Sequence, residues 1–347
     1  MTTTTTPRII LGTMTFGGST SLEDASLMVS DFCQPAWKEL VKEDPMLDSA
    51  IMYQGGKTEV VLGEIIRQQG TSLPTSLSVA TKANPFSQDK DLSPEGVRKQ
   101  LEASLQSLET DSVDIFYLHA PDANHPIEAT LEEVQKLFQQ GKFRKFGLSN
   151  FSAWETVYIH NYMSSRKNYV VPTIYQGMYN AITRQVETEL LPALRKLGMS
   201  FYCYNPLAGG MLTGKYQPAD SDKEAAKRNS GVGDRFAGNS FWAKRYRERY
   251  QQQEQFAALE IVRECLTDDD LTMAEASLRW LRHHSKLTKD DGIIIGASKT
   301  GHYHANMKAL ANGPLTEDLV TAFGKASKVC QDVCPNYARG YSGSALN

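Results

Sequence analysis

The sequence holds no apolar run near the ~20 residues that a membrane-spanning helix needs. It has no surplus of charge of one sign: 37 Lys+Arg stand against 40 Asp+Glu, a net charge of −3. A protein that neutralises nucleic-acid phosphates presents a basic face, so general nucleic-acid binding is not expected. Cysteine is sparse, with five residues at 33, 203, 265, 330 and 334. The number is odd and no pair has zinc-finger spacing, which argues against a disulfide framework and against structural zinc. Cys330 and Cys334 stand one helical turn apart and read as ordinary thiols, with a redox or metal pair as the alternative. The Thr-rich start, Met1–Pro7, has neither a charged beginning nor an apolar core, so a signal peptide is not expected. A reducing, cytoplasmic compartment follows as the simplest setting. The GxGxxG fingerprint is missing too. The nearest string, Gly231-Val232-Gly233 with Gly238, has the wrong spacing and falls in the polar stretch Gln217–Asn239.

What is present is an ordinary globular composition, 41% hydrophobic and 22% charged. Eight short apolar runs read as strands: Arg8–Gly12, Leu47–Ala50, Leu77–Lys82, Val113–His119, Phe146–Ser149, Pro172–Gln176, Met199–Tyr204 and Gly292–Gly296. Helical periodicity fills the gaps: Leu22–Val41, Thr58–Gln68, Glu95–Leu108 capped by Ser93-Pro94, Ile127–Gln140, Trp154–Met163, and Thr183–Leu197 stopped by Gly198. Gln255–Cys265 and Thr272–His284 precede the last run, and His302–Ala311 and Thr316–Val329 follow it. Such alternation means βαβ units and a parallel sheet. Eight repeats without a Rossmann fingerprint predict one α/β domain over residues 1–347, a (β/α)8 TIM barrel. A long loop is expected at about 217–240 and a tail at about 330–347.

In such barrels the chemistry sits at the C-terminal ends of the strands. Three neighbouring strand ends bring Asp48 (with Tyr53 in the turn beyond), Lys82 and His119 to one rim. Each alone has a bland reading as a cap, a packing residue or a core histidine. Together they suit proton donation to a carbonyl that accepts hydride. Lys82 beside the Tyr53 hydroxyl should lower the tyrosine pKa, Asp48 should keep Lys82 charged, and His119 should orient the carbonyl. No side chain supplies hydride, so a cofactor must. Ser149, Asn150 and Gln176 offer polar groups, and Tyr204 offers an aromatic face for a nicotinamide. The Gly-rich run Asn205–Lys215, with Pro206, Leu207, Gly209, Gly210 and Lys215, lets backbone approach phosphate. After the last strand, Ser298 and Lys299 precede a helix N-terminus, an anion site suited to the extra phosphate of NADP.

These residues carry a family resemblance. The chain resembles the aldo-keto reductases over about residues 8–340. The contexts LDSAIMYQGG, ATKANP and YLHAPD hold the family's tetrad at Asp48, Tyr53, Lys82 and His119. GLSNF, YQGMYN, YNPLAGGMLTGKY and CPNYAR are most similar to the aflatoxin-aldehyde and succinic-semialdehyde reductase branch. The resemblance implies NADPH-dependent reduction of aldehydes to alcohols with Tyr53 as proton donor, in a cytosolic homodimer. It implies cofactor contacts at Asp48, Ser149, Asn150, Gln176, Asn205–Lys215, Ser298, Lys299, His302 and Asn306. Many members have Arg where His302 stands. Arg339 falls where that branch has an arginine near the substrate, and its guanidinium suits a carboxylate. Met14, Tyr53, His119, Arg235, Phe236 and Trp242 complete the expected substrate side.

Two other classes are weighed. Potassium-channel β subunits resemble this family and bind NADPH with slow turnover, but the tetrad here is complete. A metal-dependent barrel hydrolase needs several His or carboxylate ligands at strand ends, and Lys82 between Asp48 and His119 would repel the cation.

Overall fold

The computed structural model describes residues 6–42, 44–86, 90–219, 224, 227, 235–266 and 270–343. Met1–Thr5 of the Thr-rich start, Gly231-Val232-Gly233 and most of the stretch 220–234 lie outside the described residues. Eight parallel strands close in sequence order: β1 Arg8–Gly12, β2 Met46–Asp48, β3 Ser78–Ala83, β4 Val113–Leu118, β5 Phe143–Ser149, β6 Pro172–Met178, β7 Ser200–Tyr204 and β8 Gly292–Ile295. β1 pairs with β2 on one side and with β8 on the other, which seals the barrel. This is the expected (β/α)8 TIM barrel.

The period of two along each strand divides its side chains between two cores. Ile10, Met46, Ala80, Ile115, Tyr117, Ile174, Tyr202 and Ile294 fill the barrel interior. The alternate positions, such as Ile9, Leu11, Leu47, Phe116 and Phe201, face the surrounding helices. Gly147 of β5 lies against the Tyr117 ring, where a Cβ would come within 2.3 Å of a ring carbon. That close approach admits only glycine.

Three helices differ from the sequence pattern. The single helix expected over Leu22–Val41 is broken into Leu22–Phe32, a 3-10 turn Pro35–Trp37 and a short Lys38–Val41. Pro35 cannot donate to a continuing helix. The helix expected from Thr183 begins only at Leu190 and runs to Leu197. Pro192 is tolerated in a first turn but not in a helix interior. Upstream, the Asn180 side chain accepts from the Ile182 and Thr183 N–H groups and holds the chain in a turn. A helix the pattern did not suggest, Phe241–Tyr250, follows the long polar stretch, opened by Ser240 as N-cap. Cys330 ends the helix Glu317–Val329 rather than continuing it, and a 3-10 turn, Gln331–Val333, leads to Cys334.

Candidate active site

The inward parity of the strands selects the site. One step of two beyond the barrel-core residues Met46, Ala80, Tyr117, Ile174 and Tyr202 come Asp48, Lys82, His119, Gln176 and Tyr204. All five therefore point into the barrel at its C-terminal mouth. Lys82 is fully buried and its Nζ donates to both Asp48 carboxylate oxygens at 2.9 Å and to the Ser49 carbonyl at 2.6 Å. The Tyr53 hydroxyl lies 3.4 Å from the same Nζ. Gln176 donates to Asp48 Oδ1 at 2.7 Å. Tyr53 reaches this point because the chain after β2 turns through a 3-10 segment, Tyr53–Gly56, with Gln54 in the left-handed region at φ 51°. The Gln54 amide anchors that turn to the Met14 carbonyl at 2.8 Å. The Tyr53 and His119 rings meet edge-on with centroids 6.1 Å apart. Asp48, Tyr53, Lys82 and His119 are thus one cluster, as expected.

The electrostatics correct one expectation. The net shift of the tyrosine pKa is upward, not downward. Burial, with the Asp48 carboxylate next, pushes Tyr53 well above its ordinary value. The Lys82 charge is spent on Asp48, and burial pulls Lys82 itself down. Tyr53 is consequently held as the phenol across the neutral range. Burial, then Lys82 and Arg339, push His119 well below the usual imidazole value, so it is neutral and offers one N–H.

The residues expected around a dinucleotide form an arc beside this cluster. Asn150, at φ 63°, donates to the His119 carbonyl at 2.8 Å and to Ser149 Oγ at 3.0 Å, and accepts from the Tyr204 hydroxyl at 2.7 Å. Asn205, at φ 55°, and Ala208, at φ 50°, shape the turn after β7, with Gly209 and Gly210 also left-handed. Left-handed non-glycine backbone is costly and gathers at functional sites. The Asn205 side chain donates to the Tyr250 hydroxyl at 3.0 Å and accepts from Arg235 at 3.3 Å. Pro206 is buried, Leu207 half-buried, and Lys215 is exposed with its Nζ 4.8 Å over the Tyr216 ring. Past β8, the helix Thr300–Ala311 opens at Lys299 with no side-chain cap. Lys299 and His302 are exposed there, with Ser298 and Asn306 half-buried. An uncapped helix start beside a lysine is the donor set a phosphate takes, so these residues fit a phosphorylated cofactor.

The tail packs against this arc and reaches the cluster. The Arg339 N–H donates to the Asn150 carbonyl at 2.9 Å, which ties the tail to the turn after β5. Its guanidinium reaches the Tyr204 hydroxyl at 3.4 Å. The guanidinium also lies 5.8 Å over the Phe86 ring, which in turn meets His119 edge-on at 5.5 Å. Arg235 donates to the Tyr246 hydroxyl at 2.7 Å. Met14 is half-buried beside the Tyr53 turn. Phe236 is fully buried between Tyr216 and Tyr246. Trp242 packs on Phe241 and is 43% exposed, with no ring contact to the cluster among the described residues. Sequence reasoning missed Phe86 and Tyr246. Phe86 stands four residues beyond Lys82, close enough to have been found from that strand end. Tyr246 lies on the helix that was not expected.

Comparison with known proteins agrees with this geometry. The profile described as "Aldo/keto reductase family" matches residues 8–328. Aflatoxin B1 aldehyde reductase member 2 of Rattus norvegicus is 43% identical over 96% of this chain and 88% of its own length. Aflatoxin B1 aldehyde reductase member 4 of Homo sapiens is 40% identical over 95% of this chain and 97% of its own length. Oxidoreductase sirO of Leptosphaeria maculans is 33% identical, covering 84% of each chain.

Proposed function

This chain belongs to the aldo/keto reductase family, and from that premise we propose that it reduces aldehydes to alcohols with NADPH, Tyr53 giving the proton. The observation that carries the reading is the convergence of Tyr53, Lys82, Asp48 and His119 at one mouth. A reduced nicotinamide, when bound, supplies the hydride. The chain's own residues do the rest. The neutral His119 N–H and the Tyr53 hydroxyl hold the carbonyl oxygen, where negative charge develops. Tyr53 then passes its hydroxyl proton to that oxygen. Its raised pKa keeps the proton in place until then, and an alkoxide is the stronger base. Lys82, fixed by Asp48 and Ser49, keeps a positive charge beside the phenolate that remains. Gln176 holds the Asp48 carboxylate in place.

On the cofactor side, Ser149, Asn150, Gln176 and Tyr204 would line the nicotinamide end, and Asn205–Lys215 the phosphates. Ser298, Lys299, His302 and Asn306 would hold the extra phosphate of NADPH. Arg339, with Arg235 and Met14, would face the substrate, and a carboxylate on the substrate would suit Arg339. We carry over a cytoplasmic setting and a homodimer from the family resemblance.

The test is NADPH consumption with a panel of aldehydes that includes 4-nitrobenzaldehyde and succinic semialdehyde. Turnover supports the reading and ranks the substrates. Tight NADPH binding without turnover across the panel would move the protein to the nucleotide-binding regulatory class.

A further inference from the structure

Cys330 and Cys334 take no part in the proposed reaction, yet their sulfurs lie 3.9 Å apart. Cys330 is the C-cap of the helix Glu317–Val329 and is fully buried. Cys334 follows the 3-10 turn Gln331–Val333 and is half-buried. Both thiols donate to one acceptor, the Ile182 carbonyl, at 3.6 and 3.3 Å. They therefore share one small space. A disulfide has its sulfurs about 2.05 Å apart, so closure needs a shift of roughly 2 Å. The link between them is a single turn whose Gln331 and Asp332 are exposed, held to the body by the Gln185 amide, which donates to the Gln331 carbonyl at 3.0 Å.

The segment beyond Cys334 leads straight to the barrel mouth. Pro335 follows, then Tyr337, whose hydroxyl accepts from the Ala153 N–H at 3.3 Å and donates to Glu189 at 2.6 Å. Two residues later the Arg339 N–H holds the Asn150 carbonyl. Displacing Cys334 toward Cys330 pulls on this run.

We propose that Cys330 and Cys334 are an oxidisable dithiol, and that forming their disulfide loosens the tail that carries Arg339 to the mouth. Hydrogen peroxide is the oxidant. The Cys334 thiolate attacks one peroxide oxygen, so an S–O bond forms, the O–O bond breaks and hydroxide leaves to become water. The Cys330 sulfur then attacks the Cys334 sulfenic acid, the S–S bond forms, the S–O bond breaks and a second water leaves. Two thiols lose two hydrogens and two electrons, and one peroxide becomes two waters. The partition of roles follows from the surroundings. Half-buried Cys334, whose thiol its neighbours pull below the ordinary value, meets the peroxide, while fully buried Cys330 stays protonated until it resolves. The dithiol itself does not depend on the reductase reading; only the effect of a loosened Arg339 on substrate binding does.

The experiment uses the purified full chain, treated with hydrogen peroxide and digested with trypsin. Cleavage after Lys328 and Arg339 yields Val329–Arg339, which holds both cysteines. This peptide should lose two hydrogens in mass and regain them with dithiothreitol. Free thiols in the denatured chain should fall from five to three. Hydrogen exchange at the Tyr337–Arg339 amides should speed up while exchange in the barrel strands holds. Cys330→Ala and Cys334→Ser should both abolish the mass change and the exchange change, and Ala is a small apolar replacement at the buried position. Five thiols remaining after excess peroxide would overturn the proposal. So would Cys334 passing to the sulfinic acid in the wild type without a disulfide. A disulfide that leaves exchange at Tyr337–Arg339 unchanged would overturn the coupling to the tail. None of these readouts is enzyme activity, so their failure is distinct from failure of the reductase reading.

Discussion

Replacing Lys82 by Met should destabilise the fold by about 3–5 kcal/mol at mildly alkaline pH, the cost of leaving one partner of a buried pair uncompensated. Met fills much the same volume as the lysine stem, so a cavity is not the main term. What changes is Asp48. It is 4% exposed, and without Nζ its carboxylate keeps only the Gln176 N–H among the described residues. For a chain of 347 residues this corresponds to a loss of roughly 4–7 °C in the melting temperature. Protonating the carboxylate relieves the penalty, so the loss should shrink as pH falls. Asp48→Asn leaves the opposite charge buried. Lys82 then retains the Ser49 carbonyl but loses its anion. Its penalty should shrink as pH rises, because the neutral amine is the form that burial favours. The Asp48→Asn/Lys82→Met double variant buries no charge and should be more stable than either single one. Thermal and urea unfolding of the four proteins at acid, neutral and alkaline pH decides the matter. Losses below about 1 kcal/mol in both single variants, or losses that add in the double variant, would refute the buried-pair reasoning.

Other consequences can be measured independently. Lys299→Ala should weaken NADPH several-fold more than NADH in a fluorescence titration; equal losses would show that Lys299 does not read the extra phosphate. Arg339→Met should raise KM for an aldehyde bearing a carboxylate by about 10- to 100-fold, the worth of one charge-assisted contact, with little change for 4-nitrobenzaldehyde. A uniform rise for both would assign Arg339 to tail structure alone. Glu59 is fully buried, and burial raises its pKa. Its folded pKa thus lies above the unfolded one, so its contribution is fully present at acid pH and is lost as pH rises. Glu59→Gln should gain on the wild type as pH rises from the unfolded carboxyl pKa through the raised folded one. A melting-temperature difference that does not change with pH would contradict this.

The barrel was legible because parallel strands buried on both faces leave continuous apolar runs, and GIIIG at β8 and VDIFYL at β4 are unambiguous. The tetrad was legible because a lysine or histidine at the end of such a run is out of place unless it works or is paired. The misreadings have local causes. Apolar periodicity carried the first helix through Pro35 and started another at Thr183, although Pro35 and Pro192 both restrict where a helix can run. Phe241–Tyr250 is rich in Lys and Arg, and its buried face rests on Ala243, Tyr246 and Tyr250 rather than on an aliphatic stripe. The direction of the Tyr53 shift could not be read from neighbours in sequence. It depends on depth of burial and on how fully Asp48 neutralises Lys82, and both are three-dimensional quantities. The contact of Arg339 with Tyr204 and Phe86 likewise comes from a tail that returns across the mouth.

The central claim is that Tyr53 is the proton donor of a reductase. Steady-state turnover of 4-nitrobenzaldehyde by Tyr53→Phe, with NADPH affinity measured on the same preparation, tests it most directly. The expected result is a kcat lower by about 10²- to 10⁴-fold, the usual worth of a positioned general acid, with NADPH affinity nearly unchanged. Wild-type turnover in the variant, with the cofactor bound, would contradict the account.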